Sequence, residues 1–442
     1  MQTLSQWLDR IQQLHPQEID LGLERVQLVA ERLGLQRPAP FVITVTGTNG
    51  KGSHVATLDA LFREAGLRVG CYTSPHLLHY NERVCVQGEP VPDQALVDAF
   101  ERIESVRGDV SLTYFEFGTL AALMIFQQSA LDVAVLEVGM GGRLDAVNIV
   151  DADIAIVTNI DLDHQDWLGA TRELIAVEKA GIFRAGKPVV CAEANPPSSL
   201  INAAEKLGCP LYLPQRDYHW RSHSLDYWDW QGQIQQPDGE LQFVSLAQLP
   251  VPSLATGNVA SALQAAFLSG LFDADFLSKN SLLTHVSKVI KDVQLAGRQQ
   301  WLQTAPGTAR MMVDVAHNPH AGRLLAERLQ RERSRGVRNV HMVIAMMADK
   351  DHAGFYHALE KQVDFWYIAH FDLARCLPAD ALAQRWHELS ASSSESAARI
   401  AVFDTVAQAC EAAAQRAGAD DIVVICGSFM TVADAIAART EQ

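Results

Sequence analysis

The sequence is short of positive charge and contains neither a long apolar run nor a paired cysteine motif. Its 36 lysine and arginine residues stand against 52 aspartate and glutamate residues, which gives a formal net charge of −16. This balance argues against nucleic acid and anionic membrane surfaces as partners. No stretch approaches the roughly 18 consecutive apolar residues of a membrane-spanning helix. We therefore expect a protein that binds neither nucleic acid nor membrane.

The seven cysteines include no C-x-x-C pair and are odd in number. This usage favours free thiols in a reducing compartment over a disulfide framework or a zinc site. The first residues, MQTLSQWLDR, are polar and charged where a secretory signal peptide has an apolar run. We therefore expect the protein to be cytoplasmic, and we expect it to be a monomer.

The chain is long enough for two or three domains, at 442 residues of which 48% are hydrophobic. Strand-like apolar runs alternate with helical patterns in both halves, which predicts α/β domains with mostly parallel sheets. Residues 217–246 differ, because aromatic residues flank a Pro-Asp-Gly turn, and they predict a small antiparallel excursion. We predict an N-terminal P-loop ATPase-like domain over residues 1–298, with a linker near 249–258, and a C-terminal Rossmann-like domain over 299–442.

The most informative segment is VITVTGTNGKGS, residues 42–53, in which an apolar β-branched run leads into a glycine-rich turn ending in lysine and serine. Such a turn presents backbone N–H groups and a helix N-terminus to phosphate oxygens. Lys51 would neutralise β- and γ-phosphate oxygens, and the Ser53 hydroxyl is placed to ligate Mg²⁺. The segment departs from the ordinary G-x-x-x-x-G-K-[ST] loop, because residue 45 is Val and Gly52 separates Lys51 from Ser53. The alternative is a glycine-rich turn that binds nothing.

Polar residues follow other predicted strands as well. Ser74, Glu137 and His164 each come at or just past the end of an apolar run. Ligands bind at the carboxyl ends of strands in such sheets, so we expect these residues to converge with the loop. A buried carboxylate at Glu137 would be costly without a cation, which favours a Mg²⁺ ligand over an acid that stabilises a loop. We reject a zinc site at the H-x-x-H of residues 76 and 79, because no further ligand follows at a suitable spacing.

The loop GTNGKGS resembles the form found in the Mur ligase superfamily, whose members use ATP to join an amino acid to a carboxylate. Nine further motifs follow the order seen in bacterial folylpolyglutamate synthases, over about residues 15–430. The chain thus resembles the family of bifunctional dihydrofolate synthases/folylpolyglutamate synthases. The motifs are IDLGLERV (19–26), SPHLLHYNERV (74–84), TYFEFGT (113–119), LEVGMGGRLDAVN (136–148), LDHQDWLG (162–169), EKAGIF (178–183), AGR (296–298), DVAHNPH (314–320) and CGSF (426–429).

The resemblance implies a nucleotide site drawn from both halves of the chain. Asp314 would accept hydrogen bonds from ribose hydroxyls, and His317 would lie beside the adenosine. From chemistry alone, Arg298 could equally form a surface ion pair, and Asp314 or His317 could form a turn before Pro319. The predicted ATP-binding residues are Thr48, Asn49, Gly50, Lys51, Gly52, Ser53, Asn258, Arg298, Asp314 and His317.

The resemblance also implies a metal site, with two Mg²⁺ ions. From chemistry alone His164 would be a capping or core residue, because Mg²⁺ prefers oxygen ligands. Lys179 matches a lysine that Mur-type ligases carbamylate with CO₂, which gives it a carboxylate; unmodified, it would usually be a solvated helix residue. The predicted metal residues are Ser53, Ser74, Glu137, His164 and carbamylated Lys179, and the predicted catalytic residues are Lys51, Lys179 and His164.

Three of the motifs match the family's dihydropteroate contacts. A flat pterin needs an aromatic face, from Tyr114 or Phe115, and a carboxylate at its amino-pyrimidine edge, from Asp145. For the glutamate we name His317 and Ser428. The predicted folate-binding residues are Ile19, Asp20, Leu21, Thr113, Tyr114, Phe115, Glu116, Leu144, Asp145 and Ala146.

These features predict an ATP-dependent ligase with two activities on one site. It would join L-glutamate to 7,8-dihydropteroate, giving dihydrofolate, and then add glutamates to reduced folates, through an acyl phosphate and with release of ADP and phosphate. The enzyme alternatives are a folylpolyglutamate synthase alone or another Mur-type ligase acting on a cell-wall precursor. The non-enzyme alternative is a nucleotide-switch module, but a GTPase switch should carry an N-K-x-D motif, which this sequence lacks.

Overall fold

The computed structural model describes residues 2–17, 19–373, 375–391 and 399–440. The chain divides into two compact units, Met1–Val293 and Gln294–Gln442. The division falls a few residues before the predicted boundary after residue 298. None of the described helices is both long enough and apolar enough to cross a membrane.

The first unit is built around a mostly parallel sheet, and a small antiparallel sheet is added to it. Its helices and strands are α1 (Leu4–Gln12), α2 (Glu24–Leu33), β1 (Phe41–Thr46), α3 (Lys51–Glu64), β2 (Val69–Tyr72), β3 (Val84–Val86), β4 (Glu89–Pro90), α4 (Asp93–Arg107), α5 (Tyr114–Gln128), β5 (Val133–Glu137), β6 (Ile154–Val157), α6 (Gln165–Leu168), α7 (Arg172–Ala180), β7 (Val189–Cys191), α8 (Ser198–Lys206), β8 (Leu211–Tyr212), β9 (His219–Ser222), β10 (Tyr227–Gln235), β11 (Leu241–Pro250), α9 (Thr256–Phe267), α10 (Ala274–Leu277) and α11 (Lys279–Asp292), with short 3-10 helices at Tyr80–Arg83 and Ala146–Ile149.

The main sheet has the strand order β4-β3-β2-β5-β1-β6-β7-β8 in the described chain. Strands β2, β5, β1, β6, β7 and β8 run parallel, while β3 and β4 form an antiparallel edge. Every residue of β2, β5 and β6 is buried, as expected where helices cover both faces of a parallel sheet. The carboxyl ends of β2, β5, β1 and β6 are therefore adjacent at one edge.

The predicted antiparallel excursion is the three-stranded sheet β11-β10-β9. Trp228 and Trp230 are fully buried on one face of β10, so these aromatic residues form core rather than a stacking surface. The Trp230 indole N–H donates to the Ala260 carbonyl of α9 at 3.0 Å. Strand β11 continues to Pro250 and α9 begins at Thr256, so regular structure occupies both ends of the segment predicted as a linker.

The second unit is a Rossmann-like α/β unit with the strand order β12-β13-β17-β14-β15-β16 in its described part. All pairs are parallel except β12 with β13. The sequence patterns missed β12, so Asp314 follows the second strand of this unit rather than the first. Its elements are β12 (Gln300–Leu302), β13 (Arg310–Val313), α12 (Pro319–Ser334), β14 (Val340–Ile344), α13 (His352–Leu359), β15 (Phe365–Ile368), α14 (Ala379–Ala391), β16 (Arg399–Val402), α15 (Val406–Arg416), β17 (Ile422–Cys426) and α16 (Phe429–Thr440).

Candidate active site

The glycine-rich loop connects the end of β1 at Thr46 to the start of α3 at Lys51. Gly50 is the N-cap of α3 and has a left-handed φ of +84°, a conformation that favours glycine. A Cβ atom at Gly50 would lie 2.7 Å from the side-chain nitrogen of Asn258 in α9, so the Asn258 side chain packs directly against the loop. Helix α3 begins at Lys51, and Lys51 and Ser53 therefore lie in its first turn.

Thr158 and Asn159, which directly follow β6, hold the loop in place through hydrogen bonds. The Asn49 N–H donates to the Asn159 side-chain oxygen at 2.7 Å, and the Thr48 N–H donates to the Asn159 carbonyl at 3.0 Å. The Thr158 hydroxyl donates to the Asn49 carbonyl. These bonds fix the backbone of the loop without using the N–H groups at the start of α3. Sequence analysis missed Thr158 and Asn159, although two polar residues directly after an apolar strand were the signal.

The Lys51 side chain folds back over the loop. Its ammonium donates to the carbonyl oxygens of Gly47 at 3.1 Å and Thr48 at 3.4 Å. The Ser53 side chain is buried two residues further along the first turn of α3. Helix N-termini favour anions, so the loop, the first turn of α3 and Lys51 together form a site suited to phosphate.

Glu137 and Ser74 meet at the adjacent strand ends. Glu137 is the last residue of β5 and is buried, as the sequence predicted for this strand end. The backbone N–H of Ser74, just past β2, donates to a Glu137 carboxylate oxygen at 3.3 Å. His164 lies seven residues after β6 ends, further than the sequence suggested, and forms the N-cap of α6 with a φ of +51°. The structure thus brings Glu137 and Ser74 into contact.

The side chains near Glu137 suit Mg²⁺ better than they suit a metal whose ligands must all come from the protein. Across the described ranges, no group of three or more His, Cys, Asp or Glu side chains is arranged to hold an ion. Mg²⁺ is commonly bound by one or two carboxylates, with water and substrate phosphates completing its octahedron. The buried Glu137, which pairs with Val45 just before the glycine-rich loop, meets that requirement.

Lys179 is buried in the last turn of α7, where the sequence alone suggested a solvated lysine. Burial, reinforced by the positive charge of Lys51, lowers the pKa of the Lys179 amine to about 7. Asp163 and Asp145 act in the opposite direction. An amine with this pKa is largely neutral slightly above pH 7, which is the form that reacts with CO₂.

A cavity of about 700 Å³ opens beside these strand ends. Its volume lies in the range of small-molecule sites. Its lining contains all ten predicted folate-binding residues together with Ser74 and His164. The full lining is Ile11, Gln12, His15, Pro16, Gln17, Ile19, Asp20, Leu21, Gly22, Ser74, Pro75, His76, Arg83, Thr113, Tyr114, Phe115, Glu116, Gly139, Met140, Leu144, Asp145, Ala146 and His164.

Two segments distant in sequence are tied together at one wall of the cavity. Arg25 of α2 donates to the Asp20 carboxylate at 2.7 Å and to the Glu116 carboxylate at 3.1 Å. The other Glu116 oxygen accepts from the Thr113 N–H at 2.7 Å, while Thr113 caps α5. Glu116 therefore has a structural role in this wall, as a capping-box residue and ion-pair partner.

The cavity lining also carries aromatic rings and a third carboxylate, that of Asp145. The Asp145 oxygens accept backbone N–H bonds from Met140 and Val147, each at 3.0 Å. Burial nevertheless raises the pKa of Asp145 to about 6. The Arg83 guanidinium lies 5.5 Å from the Tyr114 ring centroid, a contact that sequence analysis did not predict.

In the second unit, Asp314 organises the segment that carries Arg298. Asp314 follows β13 and is buried, and its carboxylate accepts from the Gln299 N–H at 3.1 Å and the Ala316 N–H at 2.8 Å. Burial raises its pKa, and the neighbouring Arg298 opposes that shift. The Arg298 guanidinium lies 4.9 Å from the centroid of the Phe429 ring.

Ser428 and His317 lie in the same unit, just past the adjacent strands β17 and β13. The buried Ser428 hydroxyl accepts from the Thr431 N–H at 3.0 Å, so it acts as a helix cap. The His317 Nδ1 atom is 2.8 Å from the Val315 carbonyl. Arg298, Asp314, His317 and Ser428 thus all lie at or near one edge of the second sheet.

Comparison with known families matches each unit separately. The model described as Mur ligase middle domain matches residues 45–266. The model described as Mur ligase, glutamate ligase domain, matches residues 297–429. The matched ranges contain the glycine-rich loop in the first case and Arg298, Asp314 and Ser428 in the second.

Individual relatives match along nearly the whole chain. The Escherichia coli (strain K12) dihydrofolate synthase/folylpolyglutamate synthase is 46% identical over 430 residues, which cover 97% of this chain and 94% of the relative. The structure of E. coli FolC in complex with DHPP and ADP superposes with a TM-score of 0.87 at 42% identity, covering 100% of this chain and 98% of that one. A bifunctional folylpolyglutamate synthase/dihydrofolate synthase with Mn, AMPPNP and L-glutamate bound gives 0.85 at 43% identity, with coverages of 100% and 98%.

Proposed function

The chain belongs to the bifunctional dihydrofolate synthase/folylpolyglutamate synthase family of Mur ligases, and we propose that it joins L-glutamate to 7,8-dihydropteroate and then to reduced folates. Each step uses ATP and forms one amide bond. The carboxylate of the acceptor takes the γ-phosphoryl group to give an acyl phosphate and ADP. The amine of glutamate then attacks the acyl carbon, and phosphate leaves.

The observation that carries this proposal is the cavity of about 700 Å³ beside the phosphate-binding loop. It joins the three segments predicted to bind folate to Ser74 and His164 of the predicted metal site. A pteroate with its pterin held in the cavity would place its benzoate carboxylate toward the strand ends. Tyr114 and Phe115 would supply aromatic surface, and Asp145 a carboxylate for the amino-pyrimidine edge.

We propose that the loop and Lys51 align the γ-phosphate with this carboxylate and neutralise charge as it is transferred. Phosphoryl transfer needs little covalent chemistry from the protein, so positioning and electrostatic stabilisation supply most of the catalysis. Gly50, Gly52 and Ser53 would bind phosphate through the loop backbone and the helix N-terminus. Thr48 and Asn49, whose backbone N–H groups donate to Asn159, would shape the loop around the nucleotide. The hydrogen bonds with Thr158 and Asn159 support this role, because they fix the shape of the loop.

The proposed metal site consists of Ser53, Ser74, Glu137, His164 and Lys179, the last as its carbamate. The relative that binds Mn together with AMPPNP supports a divalent ion here, and two Mg²⁺ ions remain our proposal. Bound Mg²⁺ would withdraw charge from the phosphate oxygens. The lowered pKa of Lys179 supports carbamylation, because only the neutral amine adds to CO₂.

We propose that Asn258, Arg298, Asp314 and His317 also contact the nucleotide, and that His317 and Ser428 contact glutamate. The relative with bound L-glutamate supports a glutamate site in this chain. The two backbone bonds to Asp314 leave further lone pairs on its carboxylate for ribose hydroxyls. The cytoplasmic location and the monomeric state stay predictions.

The decisive experiment measures phosphate release from Mg·ATP with glutamate and one of three acceptors: dihydropteroate, tetrahydrofolate or a muramyl precursor. We expect turnover with the first two and none with the third. Turnover with tetrahydrofolate alone would indicate a folylpolyglutamate synthase only. A Lys51→Ala variant should lose at least about a hundredfold in kcat/KM, the usual scale for removing an electrostatic catalyst. Full activity of that variant would refute the assignment of the loop.

A further inference from the structure

His54 is a buried polar residue that the proposed mechanism does not use. It lies in the first turn of α3, directly after Ser53, and its side chain is fully buried. Its Nδ1 atom is 2.8 Å from the Gly50 carbonyl oxygen, and its Nε2 atom is 2.6 Å from the Ser261 hydroxyl of α9. The imidazole therefore connects Gly50, which is the last residue of the glycine-rich loop (the phosphate loop, residues 47–50) and the N-cap of α3, to helix α9.

The hydrogen bonds define which atoms donate. The Gly50 carbonyl can only accept, so the proton of a neutral ring belongs on Nδ1, and Nε2 must accept from the Ser261 hydroxyl. The carbonyls of Gly257 and Asn258 also lie within reach of that hydroxyl, at 2.9 and 3.1 Å. If Ser261 donated to either of them, Nε2 would need a second ring proton and a charged ring would be buried. The neutral arrangement is thus a continuous chain from Ser261 through His54 to Gly50.

This chain of hydrogen bonds connects the two elements that pack closely at Gly50, namely the glycine-rich loop and helix α9. Asn258 packs so near to Gly50 that a Cβ atom there would lie 2.7 Å from its amide nitrogen. Ser261 lies one turn further along α9 than Asn258. Holding Ser261 to Gly50 through the rigid imidazole therefore fixes the distance between Asn258 and the loop.

We propose that His54 is a positioning residue, which acts with Ser261 to hold Asn258 of α9 against the phosphate loop and thereby sets the affinity for nucleotide. The inference rests on the proposed function only in taking the loop as the ATP site. It predicts an effect on nucleotide binding and none on the pterin acceptor, whose cavity lining includes none of these residues.

If His54 and Ser261 served only to pack the core, their loss would lower the melting temperature without changing nucleotide affinity. Helix α9 offers a matched control for that case. Gln264 is fully buried one turn beyond Ser261. Its side chain makes two hydrogen bonds to the backbone of Gln233 in β10, at 3.0 and 2.9 Å. Gln264→Ala should therefore loosen α9 from the hairpin and lower the melting temperature without changing the contact between Asn258 and Gly50.

The test measures AMPPNP affinity by calorimetry with Mg²⁺ present, together with melting temperature and the KM for dihydropteroate. We expect His54→Ala to weaken AMPPNP binding about tenfold, the scale of one well-placed hydrogen-bond network, with the acceptor KM unchanged. Ser261→Ala removes a single oxygen atom and should weaken AMPPNP binding about fivefold. Because this change is small, the variant can test the inference even if His54→Ala does not fold. Gln264→Ala should bind AMPPNP within twofold of the wild type.

A double variant supplies the second criterion. Because His54 acts through Asn258, the His54→Ala/Asn258→Ala protein should bind AMPPNP no more weakly than Asn258→Ala alone. Additive losses would overturn the inference, as would His54→Ala and Ser261→Ala proteins with wild-type affinity and a lowered melting temperature. A wild-type protein that binds AMPPNP but does not turn over dihydropteroate would instead refute the proposed function and leave the positioning role open to the same binding test.

Discussion

At the scale of single residues, burial changes the chemistry of side chains that look ordinary in the sequence. Lys179 is the clearest case, because a helix lysine is usually solvated, whereas this one is 2% exposed and its amine has a pKa of about 7. Asp145 shows the opposite shift, since burial raises its pKa to about 6. Asp145 lines the cavity, Lys179 interacts electrostatically with Asp145, and the charge of Lys51 shifts the pKa of both groups. Perturbed groups concentrated in one cleft are typical of functional sites.

The buried amine of Lys179 should make the folded protein less stable below the ordinary lysine pKa. Its folded pKa of about 7 lies below the unfolded value of 10.5, so stability is lost as pH falls from 10.5 to 7 and is constant below that. Lys179→Met removes the amine and should be more stable at pH 7 by a few kcal/mol, at about 1.4 kcal/mol per pKa unit. Urea unfolding in CO₂-free buffer without divalent metal measures this. The gain should disappear above about pH 10.5, and a gain that is independent of pH would contradict the shifted pKa.

The same amine should take up CO₂. Wild-type protein equilibrated with ¹³C-bicarbonate and Mg²⁺ slightly above pH 7 should show a carbamate carbon in its ¹³C NMR spectrum, because the neutral amine is well populated there. The signal should be absent from Lys179→Met. Lys187→Met is the control, because Lys187 is a half-exposed lysine paired with Asp153 at 3.1 Å. Loss of the signal in the control instead would place the carbamate elsewhere.

At the scale of elements, the phosphate loop depends on glycine for two separate reasons. Gly50 has a φ of +84° and would clash with Asn258 if it carried a Cβ, whereas Gly66 has a φ of +78° and nothing within 4 Å. Gly66→Ala should therefore cost only the backbone strain, about 1 kcal/mol, and leave the KM for ATP unchanged. Gly50→Ala should cost more stability and raise the KM for ATP at least about tenfold, because Asn258 or the loop must move. Equal effects in both proteins would show that the contact with Asn258 is unimportant.

The segment before β12 depends on a single carboxylate. Asp314 accepts from two backbone N–H groups, at Gln299 and Ala316, and is buried. Asp314→Ala leaves both donors unsatisfied and should cost about 2–6 kcal/mol of unfolding free energy, at about 1–3 kcal/mol for each buried group. Asp314→Asn retains one acceptor and should lose roughly half as much. Urea unfolding followed by tryptophan fluorescence measures the difference, and an Asp314→Ala protein as stable as the wild type would contradict this structural role.

Periodicity predicted the elements better than it predicted their ends. The runs around Glu137 and in the second unit were found because a strand buried on both faces is uniformly apolar. The start of helix α3 at Lys51 is hard to read from the sequence, since the residues GKGS have low helix propensity and the loop that starts the helix is held by tertiary bonds with Thr158 and Asn159. Strand β12 was missed because it is a short, partly exposed edge strand. His54 and Ser261 are in contact although they are 207 residues apart in the sequence, and local sequence patterns carry no signal for such contacts.

At the scale of the whole molecule, an acidic protein must attract anionic substrates. The net charge is −16, whereas ATP, folates and glutamate are all anions. The cations near the site are used differently: Lys51 bonds to the loop, Arg83 is buried over Tyr114, and Arg143 is half exposed and paired with Glu178 at 2.9 Å. Lys51 is therefore the cation that we propose for phosphate, and the helix N-terminus adds positive potential without adding net charge.

The division of the chain after Val293 leads to a prediction about folding. The second unit has its own six-stranded sheet in the described part, and a core in which Trp366, Trp386 and Phe355 are fully buried. A unit of this size with a separate core should fold alone. A fragment of residues 294–442 should therefore unfold cooperatively in urea, and Trp386→Ala within it should lose about 3–5 kcal/mol, as large core truncations do. The fragment lacks the phosphate loop, so it should release no phosphate from ATP with any acceptor. A fragment that shows no cooperative transition would mean that the second sheet needs residues 1–293 to fold.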